Sequence, residues 1–123
     1  MLSIFDEKSH VFLKKMLDIS TQRQNLISHN IANVNTPGFK RSDLDFNAQL
    51  REVLSDDGDI DKLKDFQGTI VKPDITPVRR DGNNVDLNKE LSIVAQNSIL
   101  FKVYVQAMKG RFTRLKEAMR SPQ

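Results

Sequence analysis

At 123 residues the chain has room for one domain with a single modest core. Apolar residues make up 38% of it, below the roughly 45–50% usual for a globular domain, so burying enough surface calls for a partner. The absence of cysteine excludes disulfides and thiolate metal sites.

Charge is segregated along the chain. The net value is +3 over residues 1–42, −5 over 43–86 and +5 over 87–123. An acidic middle therefore lies between two basic ends. No run approaches the roughly 18 apolar residues of a membrane span. The first eighteen residues carry Asp6, Glu7, Lys8, Lys14 and Lys15 and lack an apolar run before a small-residue cleavage site. The expectation is a chain without a membrane span, exported, if at all, without a cleaved signal peptide.

The pattern predicts a mainly α fold: two long terminal helices pairing as an antiparallel coiled coil, joined by an irregular, partly β middle. One domain would span residues 1–123, divided into 1–34, 35–85 and 86–120. The first helix is predicted over residues 5–34. Phe5, Phe12, Ile19 and Leu26 recur every seven positions, and Leu13, Leu17, Ile27, Ile31 and Val34 form a second stripe. Two stripes imply two sets of neighbours. Asn35-Thr36-Pro37-Gly38 ends the helix, because proline disfavours the α conformation at Thr36 and Pro-Gly suits the centre of a type II turn.

In the middle, the pattern predicts a short helix over 43–54 and a short strand over 67–71. Residues 56–65 read as too charged to bury, and much of the segment as exposed and mobile in the free subunit. Asp86 is the predicted N-cap of the last helix. From there Leu87, Leu91, Val94, Ser98, Phe101, Val105, Met108, Phe112, Leu115 and Met119 alternate in spacings of four and three. All but Ser98 are apolar, which is the pattern of a coiled-coil seam. Gly110 lies off that seam, and its missing side chain suits close approach of another helix.

Catalytic and ligand chemistry finds no support. His10 and His29 are nineteen positions apart on the first helix, which is wrong for a shared metal face. Asp57-Gly58-Asp59-Ile60-Asp61 looks superficially like a calcium loop, yet Lys62 occupies the position of the turn glycine and Gly68 that of the closing glutamate. Neither a phosphate-cradling glycine loop nor a nucleophile elbow is present. The basic side of the last helix, with Lys102, Lys109, Arg111, Arg114, Lys116 and Arg120, raises nucleic-acid binding as an alternative. Phe101 and Phe112 belong to the apolar seam, however, which withholds them from stacking on bases. The expectation is a structural protein with no enzymatic activity, metal, cofactor, small-molecule substrate or nucleic-acid partner.

The junction after the first helix reads Asn30-Ile31-Ala32-Asn33-Val34-Asn35-Thr36-Pro37-Gly38-Phe39-Lys40. Asn30 and Asn33 are placed to bond the last carbonyls of the helix or a neighbouring chain, Ala32 allows close packing, and Phe39 is an apolar anchor beyond the turn. This stretch resembles the signature of bacterial flagellar rod and hook proteins, matched without departure at Asn30, Ile31, Ala32, Asn33, Thr36, Pro37, Gly38, Phe39 and Lys40. A second stretch, from Asp81-Gly82-Asn83-Asn84-Val85-Asp86 to Leu91, followed by the heptad helix with Asn97, Gln106, Phe112 and Leu115, is similar to proximal rod subunits of the FlgB type. Distal rod and hook proteins carry extra β-rich domains between their terminal helices, for which this chain's middle is too short.

The resemblance implies an axial subunit of the flagellar basal body, passed unfolded through the flagellum's type III export channel and stacked helically into a rod crossing the periplasm. Its partners would be copies of itself, other rod proteins, the export gate, and membrane-ring or adaptor proteins at the rod base. Another axial rod or junction protein is the alternative within the same family.

Overall fold

The structure is a computed structural model that describes residues 2–55, 59–74 and 76–120, with side chains from Glu7 onward. Phe5 and the Asp57-Gly58 pair fall outside what is described of side chains or backbone. The elements in chain order are α1 (Leu2–Ala32), β1 (Asp43–Asp45), α2 (Asn47–Ser55), α3 (Ile60–Asp65), β2 (Thr69–Val71) and α4 (Leu87–Arg120).

The two long helices lie against each other. Asn30 meets Glu90, Ser20 and Gln24 meet Asn97, and His10 meets Phe112 ring to ring, so the pair runs antiparallel. Asp86 caps α4 as its sequence position predicts: its carboxylate accepts from the Lys89 N–H and its carbonyl from Glu90. That satisfies donors left without partners in the first helical turn.

α1 has neighbours on two sides, in keeping with its two stripes. One side meets α4, and the other meets α3 and β1. Met16 and Ile19 of α1 share a core with Leu44, Val53, Leu63 and Phe66, bordered by Phe12, Leu26, Leu50 and Tyr104. Four of those six buried residues come from the middle segment. The expectation of an exposed middle thus fails for these residues. The charged stretch after residue 58 forms α3, which buries Leu63 while Asp61, Lys62, Lys64 and Asp65 remain outside. A charged sequence can bury one residue in four when it is helical, because a single face suffices.

β1 and β2 pair antiparallel with Leu44 opposite Ile70. Two strands alone are marginal. Here the pair is held because Leu44 points into the core and Asp43 is bonded to Arg23 of α1. The strand expected over 67–71 is found as β2. The helix expected over 43–54 is divided, with β1 taking its first three residues and α2 beginning at Asn47.

Phe66→Ala removes a large, nearly fully buried side chain and should destabilise the subunit by about 3–5 kcal/mol, read from urea unfolding. A change no larger than that of a surface substitution would take the middle segment out of the core.

Candidate assembly site

The end of α1 is where the chain changes direction, and its backbone chemistry dictates what must surround it. A helix leaves its last four carbonyls without internal partners. The Asn33 N–H bonds both the His29 and Asn30 carbonyls, tightening the last turn, and the Asn33 side chain donates to the His29 carbonyl at 2.8 Å. Beyond it, the carbonyls of Asn33, Val34 and Thr36 all face the Nδ2 of Asn83, at 2.9, 3.1 and 2.9 Å. Asn83 is fully buried, and its Oδ1 accepts from the Val85 N–H. The Arg79 guanidinium also donates to the Val34 carbonyl, placing a cation at the negative end of the helix.

Thr36-Pro37-Gly38-Phe39 forms the turn expected of it. The Phe39 N–H bonds the Thr36 carbonyl, and Gly38 has φ +75°, the left-handed value that type II turns require at that position. A second turn glycine, Gly82 at φ +85°, lies directly against it: a Cβ on Gly82 would stand 3.2 Å from the Gly38 Cα. The segments 38–41 and 81–84 are then laced together. Gly38 donates to Asp81, Asn84 to Phe39, and the Arg41 N–H to the Asn84 side chain at 2.7 Å. Lys40 adds a bond to the Gly82 carbonyl. The two stretches that carried the family resemblance are thus the two halves of one joint.

Beneath the joint lies a buried charge cluster. Arg41 and Glu90 are both fully buried and paired through Nε–Oε1 at 2.5 Å and Nη2–Oε2 at 3.3 Å. Asn30, also fully buried, donates to Glu90 and to the Ser42 carbonyl, and accepts from the Ser42 N–H at 2.9 Å. Asp43 takes Arg23 in a two-pronged pair, Nε–Oδ1 at 2.8 Å and Nη2–Oδ2 at 3.1 Å, and Arg41 at 3.4 Å. Burial pushes the Asp43 carboxyl upward, but the bonds from Arg23 and the Leu44 N–H and the attraction of both guanidinia outweigh it. The group is held below the ordinary carboxylate range. Burial likewise opposes charge on Arg41, and Glu90 and Asp43 overcome it, keeping the guanidinium above its usual value.

Of the motif residues, Asn30 is wholly internal. Ile31, Asn33, Phe39 and Lys40 are half-buried, and Ala32, Thr36, Pro37 and Gly38 are exposed. Phe39 packs edge-on against His29, with ring centres 5.6 Å apart. The asparagines therefore serve the subunit's own joint, and the turn is what it presents outward.

The seam residues of α4 divide differently. Val94, Val105 and Met108 are half-buried, whereas Leu87, Leu91, Phe101, Phe112, Leu115 and Met119 are exposed, reaching 50% at Leu91, 56% at Phe112 and 81% at Met119. Along α4, the residues pressed most deeply inward are Glu90 and Asn97. The packing face is displaced from the apolar seam toward Glu90 and Asn97, both of which are hydrogen-bonded to partners on α1 or just after it. Sequence reasoning gave Arg23, Arg41, Asp43 and Glu90 no role of their own, and noted Asn97 only as part of the family resemblance. The available signal was the spacing of Glu90 and Asn97, two polar residues seven apart beside an apolar seam.

Glu90→Leu strands a buried guanidinium and should cost about 3–5 kcal/mol, with most of that recovered in the Arg41→Met/Glu90→Leu pair; urea unfolding of the four proteins in the cycle measures it. Asp43 makes a separate pH prediction. A carboxyl depressed in the folded state stabilises above its unfolded pKa, about 3.9, and that contribution is lost as pH falls through the lower folded value. Stability should fall on acidification below about pH 4, and Asp43→Asn should flatten that limb. An unchanged acid limb would remove Asp43 as its source.

The joint has counterparts in known proteins. Residues 20–40 match the family model described as "Flagella basal body rod protein", and this span covers the end of α1 and the turn. The chain is 31% identical to the flagellar basal body rod protein FlgB of Borreliella burgdorferi over 112 residues, 77% of this chain and 83% of that one. It is 31% identical to FlgB of Bacillus subtilis, covering 87% and 89% of the two chains, and 27% identical to FlgB of Escherichia coli, covering 89% and 91%. With most of both chains aligned at this identity, the chain is a structural subunit and belongs to the FlgB family of flagellar basal body rod proteins.

Proposed function

We propose that this subunit stacks helically, with copies of itself and with other rod proteins, to form the proximal part of the flagellar drive shaft. The observation that carries this reading is the apolar stripe left outside on α4: Leu91, Phe112, Leu115 and Met119 stand about half exposed or more along one helix. A chain with a core this small does not leave such residues in water without consequence. Each one covered on assembly contributes on the order of 1–2 kcal/mol, so folding and stacking are thermodynamically linked.

Helical stacking needs heterologous contacts, in which one face of a subunit meets a different face of the next. The outward stripe of α4 is one such face, and the exposed turn Thr36-Pro37-Gly38 lies at the opposite end of the helix pair from Phe112 and Met119. Within this reading, the motif and the seam divide the work. The motif fixes the joint between the helices and presents its turn, and the seam supplies apolar contact to neighbours. The rod would occupy the periplasmic space, its subunits delivered unfolded by the flagellar export apparatus without removal of a signal peptide. At the base, its neighbours would be the export gate and the membrane-ring or adaptor proteins.

Phe112→Asp places a charge on a residue that is already more than half exposed, so the isolated subunit should lose no more than about 1 kcal/mol of stability. In assembly, the same charge faces burial without a partner, and rods should fail to form. Motility and electron microscopy of basal bodies from cells carrying only this variant provide the measurement. Normal rods would remove the α4 stripe from the assembly surface.

A further inference from the structure

α4 carries two parallel lines of apolar residues and packs by neither of them squarely. Positions 87, 94, 101, 108 and 115 flank the contact with α1. Positions 91, 98, 105, 112 and 119 lie a further step around the helix: Leu91, Phe112 and Met119 are exposed, Ser98 and Val105 are half-buried, and the Phe112 ring touches α1 at His10. The line pressed inward is 90, 97, 104 and 111, which reads Glu, Asn, Tyr, Arg. It is one residue before the outer apolar line, a difference of about 100° around the helix.

Hydrophobic burial alone favours the other rotation. Turning α4 by part of that angle would bring Leu91, Val105 and Phe112 toward α1 and release Glu90 and Asn97 to water. Two sets of bonds oppose it. Glu90 is held by Arg41 and Asn30, and turning it out would leave the fully buried Arg41 without its counterion. Asn97, almost fully buried, donates from Nδ2 to the Ser20 carbonyl at 2.8 Å and to Gln24 Oε1 at 3.1 Å. Its bond is to backbone in the middle of α1, so it specifies both rotation and register. A buried asparagine in a coiled coil has the same effect, sacrificing stability for a single arrangement.

We propose that Glu90 and Asn97 form a rotational lock on α4, holding its polar line inward so that the line of Leu91, Val105, Phe112 and Met119 is kept off the centre of the α1 contact. That the outer line is then used by a neighbouring subunit rests on the assembly reading above; the lock itself does not.

The chain contains no cysteine, so single thiols report cleanly on the orientation of α4. Phe112→Cys and Leu100→Cys lie on opposite flanks of the inward line, and both positions are exposed. Maleimide labelling rates of the unassembled subunit are compared with and without Asn97→Leu. The lock predicts that Asn97→Leu raises Tm, slows labelling at 112 severalfold and accelerates it at 100. A rate ratio unchanged from the parent overturns it. If Asn97→Leu unfolds the helix pair, both rates rise together. Asn97→Ala, which deletes the bond without adding volume, then decides, and an unchanged ratio there overturns the lock equally. Because no assembled rod enters the measurement, a failed lock leaves the assembly reading standing, and Phe112→Asp tests that separately.

Discussion

A guanidinium taken wholly out of water must meet its counterion in a fixed geometry, and the arrangement of this subunit follows from that demand at Arg41. Glu90 supplies the charge from the first turns of α4, while Asn30 near the end of α1 holds both the carboxylate and the backbone of Ser42. Three segments far apart in sequence are thereby brought to one point. The next residue along, Asp43, binds Arg23 one helical stretch earlier on α1, which lays β1 along the helix and turns Leu44 into the core. An ion pair of this kind is weak evidence of stability, since apolar residues of the same volume often serve as well. Its value here is positional: the bonds through Arg41 Nε and Nη2, Asn30 and Asp43 tie α1, the segment after it and α4 into one mutual placement, although Arg41 Nη1 is buried without a partner among the described residues.

Above the cluster, unsatisfied carbonyls at the end of α1 impose a second constraint. They are met from some fifty residues away, chiefly by Asn83, with Arg79 assisting. That cap works because the 79–84 turn approaches the Pro37-Gly38 turn to the closeness of two glycine backbones. A side chain on Gly82 would press on the Gly38 backbone, whereas one on Gly38 would meet open space and be disfavoured by its positive φ alone. The joint is consequently stiff while the surfaces on either side of it are not committed to partners within the subunit.

The distribution of apolar surface is then unusual for an isolated globular domain. A core of six buried residues sits between α1 and the middle segment, the α1–α4 contact is lined in part by polar groups, and Leu91, Phe112, Leu115 and Met119 of α4 face outward. A domain built for solitary stability would reverse those last two. A rod subunit gains by this arrangement, because its favourable burial is deferred until a neighbour arrives. The chain is held in shape by hydrogen bonds and buried charge, which specify direction well, and is left dependent on assembly for much of its apolar burial.

The sequence alone determined the elements whose signals are local. Heptad repetition marked both long helices, Asp86 their second start, Pro37-Gly38 the turn and its positive φ, and the asparagine-rich junction the family. All of these depend on residues within a few positions of one another. What needed tertiary structure was every decision between distant segments. Residues 56–65 read as too charged to bury, yet the helix over 60–65 buries Leu63 and leads to Phe66 in the core, because α1 offers an apolar side there. Asn30 and Asn33 read alike within the motif, but one is sealed under the joint and the other caps its own helix. Most of all, the apolar seam of α4 was plain in the sequence, while the side of the helix that packs inward was chosen by partners of Glu90 and Asn97 lying 49 to 77 positions away. Periodicity reveals which residues can share a face, and only the competition between hydrogen-bonded polar groups and apolar burial decides which face turns inward.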